Sequence, residues 1–255
     1  MRREKVLFAL VFLFWGVLAI AQNEVLFKKA TEAYNQGQFE KAIAHYETIL
    51  KNGKHSAELY FNLGNCHYKL DEIGPSIYYY EKALLLQPND REIENNLSFA
   101  KNMRLDAIEE MPKTAMARMH DSIVLFLTPD QWGYLAVFAI VLFVLGFIIY
   151  YILYAATHKR IAFILANTAL CIAIFSVVMG YLGIRDERGK NPAIIFDREV
   201  VVTSEPNERS EKVFALHEGT KVNVLESLES WSKIRIADGQ TGWMPSESLK
   251  QLKDF

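Results

Sequence analysis

The 255-residue chain has only two cysteines and no strong excess of either charge. Cys66 falls in a soluble segment and Cys171 in a strongly apolar one, so we expect no disulfide bond within the chain. The 28 basic and 30 acidic residues give a formal net charge of −2. Neither 22–112 nor 185–255 is rich in basic residues, which argues against nucleic acid or an anionic lipid surface as the main partner of either region.

Sequence motifs of catalysis and metal binding are also missing. The six histidines are scattered, without the HxxxH or HExxH spacing of a zinc site. There is no CxxC pair, no GxGxxG loop, no phosphate-binding loop and no serine nucleophile elbow. The adjacent Glu109 and Glu110 fit a solvated linker better than an acid–base pair. We therefore expect a binding protein that is not an enzyme, with no cofactor and no metal.

The sequence does contain three long apolar blocks, at residues 6–21, 134–156 and 161–184. The first follows a basic start and ends in Ala-Ile-Ala, which is typical of a signal peptide over residues 1–21. An uncleaved anchor is the alternative interpretation. In both cases, the rest of the chain would be exported.

The other two apolar blocks predict a transmembrane hairpin. Residues 131–156 and 161–184 are each long enough to cross a hydrocarbon core of ~30 Å as a helix. The expected turn between them, 157–160, carries Lys159 and Arg160 and is therefore placed on the cytoplasmic side. This topology puts both soluble regions in the periplasm, anchored in a bacterial inner membrane.

Two further patterns belong to the membrane segment. Residues 113–130 predict an amphipathic linker at the membrane surface, because their apolar side chains recur at helical spacing. The second span carries a stripe of small residues, a face on which helices approach closely in lipid. The stripe could pack against the first span or serve as a seam for another membrane protein. It comprises Ala162, Ala166, Ala169, Ala173, Ser176, Gly180 and Gly183.

A 34-residue periodicity organises residues 23–104. The residues that carry it are Tyr60, Leu63, Gly64, Tyr68, Tyr80, Ala83 and Pro88, with Ala30, Tyr34 and Tyr46 one repeat earlier. This pattern resembles the tetratricopeptide repeat (TPR), which places aromatic, Leu-Gly, Ala and Pro residues at fixed positions. The resemblance implies an all-α solenoid over 22–112, with a capping helix that starts at residue 91.

This repeat explains why residues 60–90 combine helix formers with helix breakers. Gly64 is expected where two antiparallel helices cross closely. Pro75 is expected in the first turn of the second helix, where its missing N–H costs little. Tyr80 should face inward, while Tyr78 and Tyr79 should lie on other faces of the same helix.

In TPR proteins a groove is lined by the first helix of each repeat, and the matching residues here are aromatic or carry amides. Such a groove suits an extended peptide or a partner's helix. For Tyr34 and Tyr68, packing between helices is the alternative. The carboxylate-binding arrangement of some chaperone-docking members is mostly missing. The expected groove residues are Phe27, Thr31, Tyr34, Asn35, Phe61, Asn65, Tyr68, Lys69, Asn95 and Phe99.

The pattern of residues 185–255 predicts β structure. Val200 to Val202, 219–225 and 231–236 have strand character, and an Asp-Gly pair marks a hairpin turn. Together with Gly-Trp-Met-Pro, this run resembles a bacterial SH3-like domain, which implies an all-β barrel. Thr203 and Glu205 replace the arginine and glycine of the usual first loop, so cell-wall recognition through that loop is in doubt. The two tryptophans of the region are expected in the core or at the barrel rim.

The order of these parts (signal peptide, TPRs, membrane hairpin, SH3-like domain) resembles the BatE family, the TPR component of the Bat aerotolerance operon. The resemblance implies partnership with membrane proteins that carry von Willebrand A domains, and indirectly with a MoxR-type AAA+ ATPase. It also implies a role in oxygen or oxidative-stress tolerance.

Three hypotheses for the function follow. The first is a scaffold that docks an extracytoplasmic protein in the TPR groove. The second is an envelope sensor or cell-wall protein that binds peptidoglycan through its SH3-like domain. The third is a subunit of a membrane enzyme or transporter, for which Asn167 is the one candidate site within the spans.

Overall fold

The computed structural model describes residues 22–109 and 111–254, which form two compact units. The first unit contains residues 22–109 and 191–254, and the second contains residues 111–190. The expected signal peptide, residues 1–21, lies outside the described residues. The regions predicted as a TPR solenoid and as an SH3-like domain therefore pack into one unit, although the second unit separates them in sequence.

The first unit begins with five helices. Ser56 caps the third helix by accepting a hydrogen bond from the Leu59 N–H, at 3.1 Å. Asp90 caps the fifth by accepting from the Glu92 and Ile93 N–H groups. The helices are α1 (22–35), α2 (Phe39–Lys51), α3 (Ala57–Lys69), α4 (Ile73–Leu86) and α5 (Arg91–Asn102).

The helical hairpins α1–α2 and α3–α4 repeat the same hydrogen bond. In the first hairpin the Thr31 hydroxyl lies 3.2 Å from the Tyr46 hydroxyl. In the second, Tyr80 donates to the Asn65 side-chain oxygen at 2.6 Å. Each residue of the second pair follows its counterpart by 34 positions. The periodicity of the sequence is thus present in the contacts of the structure as well.

The close helix crossing predicted at Gly64 is confirmed. A β-carbon at this position would lie 2.6 Å from Cδ1 of Tyr80, whose ring is 1% exposed. The buried Ser76 hydroxyl donates to the Gly64 carbonyl at 3.0 Å, which ties α4 to α3 at the same level. Pro75 lies in the first turn of α4, as predicted.

The first unit ends with an antiparallel sheet. Alternate residues, including Val202, Ile234 and Met244, form its buried core. The strands are β1 (Pro192–Ile195), β2 (Glu199–Thr203), β3 (Lys212–His217), β4 (Lys221–Leu228), β5 (Trp231–Arg235), β6 (Thr241–Pro245) and β7 (Leu249–Gln251). They pair in the order β3-β2-β6-β5-β4-β1-β7. Strand character was predicted for β2, β4 and β5, and β6 follows the predicted hairpin turn, whereas β1, β3 and β7 were not predicted.

The β part packs against α4, and this contact explains Tyr78, the first of the three consecutive tyrosines. Tyr78 is 6% exposed, and its ring meets Phe196 edge-on with the centroids 5.4 Å apart. Its hydroxyl donates to the Asp254 carboxylate at 3.2 Å. Tyr78 does lie on a different face from Tyr80, as expected, but that face is buried by the β part.

A buried carboxylate joins the helical and β parts. Glu81 on α4 lies 2.8 Å from the Lys101 ammonium of α5 and 2.7 Å from the Lys221 ammonium of β4. Burial alone would raise the pKa of Glu81, but the two lysines outweigh it and hold the pKa below its ordinary value. The ionised carboxylate therefore stabilises this contact.

A second polar contact joins the segment after α5 to the β part. The Asp106 carboxylate accepts hydrogen bonds from the His217 backbone N–H at 2.7 Å and from the Thr220 hydroxyl at 2.6 Å. The His217 Nδ1 lies 2.7 Å from its other oxygen. Burial would raise the pKa of Asp106, but these bonds lower it. The segment after α5 is thereby fixed to the turn before β4.

The second unit consists of α6 (Ala115–Val124), α7 (Pro129–Ile152) and α8 (Ala156–Arg188). Among the described residues, α7 and α8 are two helices long and apolar enough to cross a membrane, judged by length and composition. α7 begins earlier than predicted because Thr128 and Gln131 form a capping box. α8 also begins earlier, since residues 157–160 contain no glycine or proline and continue the helix. The turn lies at residues 153–155 instead.

The stripe of small residues in α8 faces the interior of the second unit. The seven predicted positions are the buried residues of α8. A β-carbon at Gly146 of α7 would lie 3.1 Å from the Ala166 β-carbon, and one at Gly180 would lie 3.3 Å from the Trp132 β-carbon. The stripe thus serves the packing of α8 against α7, the first of the two interpretations.

Candidate protein-binding groove

The helices α1, α3 and α5 together line a cavity of about 290 Å³. They are the first helices of successive hairpins, so their side chains meet on one side of the unit. The lining mixes aromatic rings, amides and one charge of each sign. It comprises Tyr34, Phe61, Asn65, Tyr68, Lys69, Tyr80, Glu92, Asn96 and Phe99.

Asn65 fixes the floor of this cavity. Its side-chain oxygen accepts from the Tyr80 hydroxyl at 2.6 Å and from the Asn96 amide at 3.2 Å. These bonds connect α3 to α4 and to α5. Because the floor is held by three helices, the cavity has a defined shape before any partner binds.

The aromatic walls of the cavity are half-buried. Tyr34 packs edge-on against Phe39 with the ring centroids 5.4 Å apart, and burial raises the pKa of its hydroxyl. Phe61 lies over the Tyr80 ring with the centroids 5.9 Å apart. Tyr34 and Tyr68 also line the cavity. The two interpretations of these tyrosines are therefore compatible, because each packs against the core and still faces the cavity.

The rim of the cavity is open. Lys69 and Glu92 are exposed, and Phe99 keeps 59% of its surface exposed. An exposed aromatic ring beside charges of both signs and amides can bind apolar side chains and backbone groups of a polypeptide.

A larger cavity of about 790 Å³ lies between α1 and the start of α3. Phe27 and Thr31, both predicted as groove residues, line this second cavity and not the first. Its lining comprises Asn23, Glu24, Phe27, Lys28, Thr31, Ile49, Lys54, His55, Ser56, Glu58 and Leu59.

The remaining predicted groove residues, Asn35 and Asn95, are exposed and line neither cavity. Asn96 lines the first cavity where Asn95 was expected, because one residue along a helix rotates the side chain by about 100°. Tyr80 was also missed, since it belongs to the second helix of its repeat. The sequence signal that could have indicated it is the 34-residue equivalence of Tyr46 and Tyr80, since Thr31 and Asn65 are equivalent groove positions with the same spacing.

The β part has its own candidate surface, around two tryptophans. Trp231 of β5 is half-buried there, and the Lys233 ammonium lies 5.7 Å from the centre of the Trp243 ring. Thr203 is 5% exposed, and its hydroxyl donates to the Glu205 carbonyl at 2.8 Å and to the Trp243 carbonyl at 3.2 Å. The Thr203 side chain is therefore buried and holds the first loop to β6.

In residues 22–109 and 111–254, no group of three or more His, Cys, Asp or Glu side chains could hold a metal ion. Cys66 is buried, and burial raises the pKa of its thiol to about 12, which keeps it protonated and unreactive at neutral pH.

Comparison with known families finds one match in the helical part and one in the β part of the first unit. Residues 57–90, which form α3 and α4, match the tetratricopeptide repeat. Residues 200–250, which span β2 to the start of β7, match the bacterial SH3 domain. No curated protein matches the chain. The chain thus combines a helical part with a TPR, two apolar helices and an antiparallel sheet of SH3 type. TPR and SH3 domains are typically interaction modules without catalytic activity.

Proposed function

We propose that this chain is a non-enzymatic scaffold, anchored in the bacterial inner membrane, that binds protein partners in the groove of α1, α3 and α5. The order of its parts supports membership of the BatE family and a place in a Bat-type complex. Its partners there would be membrane proteins with von Willebrand A domains and, indirectly, a MoxR-type AAA+ ATPase. The complex would support tolerance of oxygen and oxidative stress.

One observation carries the binding proposal. The β part covers α4 through Tyr78 and Glu81, whereas the cavity is lined by Phe61 and Asn65 of α3 and by Phe99 of α5. Of α4, only Tyr80 reaches the cavity, whereas Tyr78 and Glu81 contact the β part. The SH3-type part can therefore stabilise the repeats while their groove stays available to a partner.

The proposed location rests on the second unit. α7 and α8 would span the inner membrane, with Lys159 and Arg160 at its cytoplasmic face. Residues 22–112 and 185–255 would then both be periplasmic. The expected signal peptide agrees with this topology. Because 22–109 and 191–254 pack together, we treat them as parts of one periplasmic body.

Substitutions at the open rim test the groove. In the full-length chain purified with mild detergent, Phe99→Ala and Lys69→Glu should each reduce the retention of partner proteins from native membranes. For Phe99→Ala we expect a loss of roughly tenfold, because truncating an aromatic residue buried in an interface costs about 1–2 kcal/mol or more. Quantitative mass spectrometry of co-purified proteins measures the change.

Leu105→Ala is the matched control. Leu105 is 77% exposed and lines neither cavity, so its truncation removes apolar surface without touching the groove. All three variants should keep the unfolding midpoint of the parent chain. If both groove variants retain the same proteins as Leu105→Ala, partners do not bind in the groove.

A second candidate function is recognition of the cell wall by the β part, as an envelope sensor or a wall-binding protein. The match to the bacterial SH3 domain and the half-buried Trp231 support it. On this hypothesis the full-length chain should sediment with purified peptidoglycan. Trp231→Ala should reduce sedimentation several-fold by removing a ring that can pack on sugar, whereas Val213→Ala, on β3, should not. A parent chain that stays in the supernatant would remove this candidate.

A further inference from the structure

The helix α6 and the turn after it expose a row of large apolar side chains. Met116, Met119 and Ile123 are 73%, 57% and 40% exposed, and Phe126 is 76% exposed. They are spaced by three or four residues and so share one side of the helix. Arg118, which is also exposed, points to a different side.

The far end of α6 is fixed to the ends of the two apolar helices. Val124 is 2% exposed, and its carbonyl accepts a hydrogen bond from the Trp132 indole N–H at 3.0 Å. A β-carbon at Gly183 would lie 3.6 Å from Cγ1 of Val124. His120 Nε2 also lies 3.7 Å from the Asp186 carboxylate. α6 is therefore held beside the start of α7 and the end of α8.

These contacts fix the position of α6 along the length of α7 and α8. The apolar stretch of α8 runs from Ile161 to Ile184, which spans roughly 36 Å at 1.5 Å per residue. This length slightly exceeds a hydrocarbon core of ~30 Å. The contact with Val124 lies at Gly183, in the last turn of that stretch. α6 thus meets the hairpin where an apolar environment would give way to water.

We propose that α6 is an interfacial helix that places Met116, Met119, Ile123 and Phe126 in the boundary between lipid headgroups and acyl chains. The proposal rests on the membrane insertion of α7 and α8 stated above. A lipid surface fits better than a protein partner, because the exposed apolar surfaces of α7 and α8 continue up to the level of α6. Arg118 and the ion pair between Lys113 and Asp121, at 2.6 Å, supply polar groups for the aqueous side.

Thiol accessibility in a lipid bilayer tests this placement. The full-length chain, reconstituted in phosphatidylcholine–phosphatidylglycerol nanodiscs, is treated with a membrane-impermeant maleimide. Met119→Cys and Arg118→Cys form a matched pair, since neighbouring positions differ mainly in the side of the helix they occupy. We expect Met119→Cys to react roughly tenfold more slowly than Arg118→Cys.

The reactivity of the parent chain tests the proposed membrane insertion separately from the position of α6. Its Cys66 is buried, and its Cys171 is exposed near the middle of α8, where only lipid would shield it. Rapid reaction of the parent would mean that α8 does not span the bilayer. If the parent chain does not react and the two cysteine variants react with the maleimide at equal rates, the interfacial placement of α6 is wrong while the membrane span of α8 stands. Slow reaction at positions 118 and 119 would also overturn that placement, because α6 would then be enclosed by protein.

Discussion

Gly64→Val is expected to destabilise the helical part of the first unit by about 3 kcal/mol, at the upper end of the usual cost of overpacking a core. The added side chain would overlap the ring of Tyr80, since a β-carbon alone would lie 2.6 Å from it. That ring is held in place, because it is 1% exposed and its hydroxyl is bound to Asn65. Urea unfolding followed by circular dichroism measures the loss.

A double-mutant cycle separates the clash from other effects. Tyr80→Ala alone should cost about 3–5 kcal/mol, because it leaves a cavity. The double variant Gly64→Val/Tyr80→Ala should lose less than the sum of the two single losses, since valine would fill part of that cavity. Strictly additive losses would mean that Gly64 and Tyr80 do not meet at the helix crossing.

Glu81→Gln is expected to weaken the union of the helical and β parts by about 3 kcal/mol at neutral pH. The substitution keeps the shape of the side chain but removes the charge that binds Lys101 and Lys221. Glu94→Gln, at an exposed carboxylate on α5, is the control and should change stability by less than about 0.5 kcal/mol. Equal unfolding midpoints for the two variants would contradict a stabilising role for Glu81.

The effect of Glu81 should also depend on pH. Its folded pKa lies below the ordinary value of 4.5, so its stabilisation is present above that value and is lost as pH falls through the folded pKa. The stability difference between the parent chain and Glu81→Gln should therefore be constant near neutral pH and should shrink below about pH 4. Asp106, whose pKa is also lowered, should add to the acid sensitivity that remains in the variant.

The helical repeat could be predicted from the sequence because its determinants are local. Gly64, Pro75 and Tyr80 lie within 17 residues of one another, and each has a single physical reason for its position. Strands β2, β4, β5 and β6 also have local determinants, because they are rich in apolar residues with strand spacing or adjoin a turn signal. The strands β1, β3 and β7 were missed because their pattern depends on partners distant in sequence.

The groove was predicted at the level of helices but not of every side chain. Helix periodicity and the TPR pattern select the residues of α3 well, and six of the expected positions share one cavity. Phe27 and Thr31 line the other cavity, and Asn35 and Asn95 line neither. Asn96 and Tyr80 line the first cavity although they were not expected to. A rotation of one residue along α5 is enough to exchange the two asparagines, and only packing against α4 fixes that rotation.

By itself, the sequence determined the elements that depend on short-range pattern: paired helices, two long apolar helices and a run of β-strands. The tertiary structure decided which surfaces are covered. It joined Glu81 to Lys221, 140 positions away, and so placed the β part on α4 instead of leaving it as a separate domain. It also turned the small residues of α8 toward α7. Such choices depend on the summed burial and charge pairing of distant segments, which no local pattern encodes.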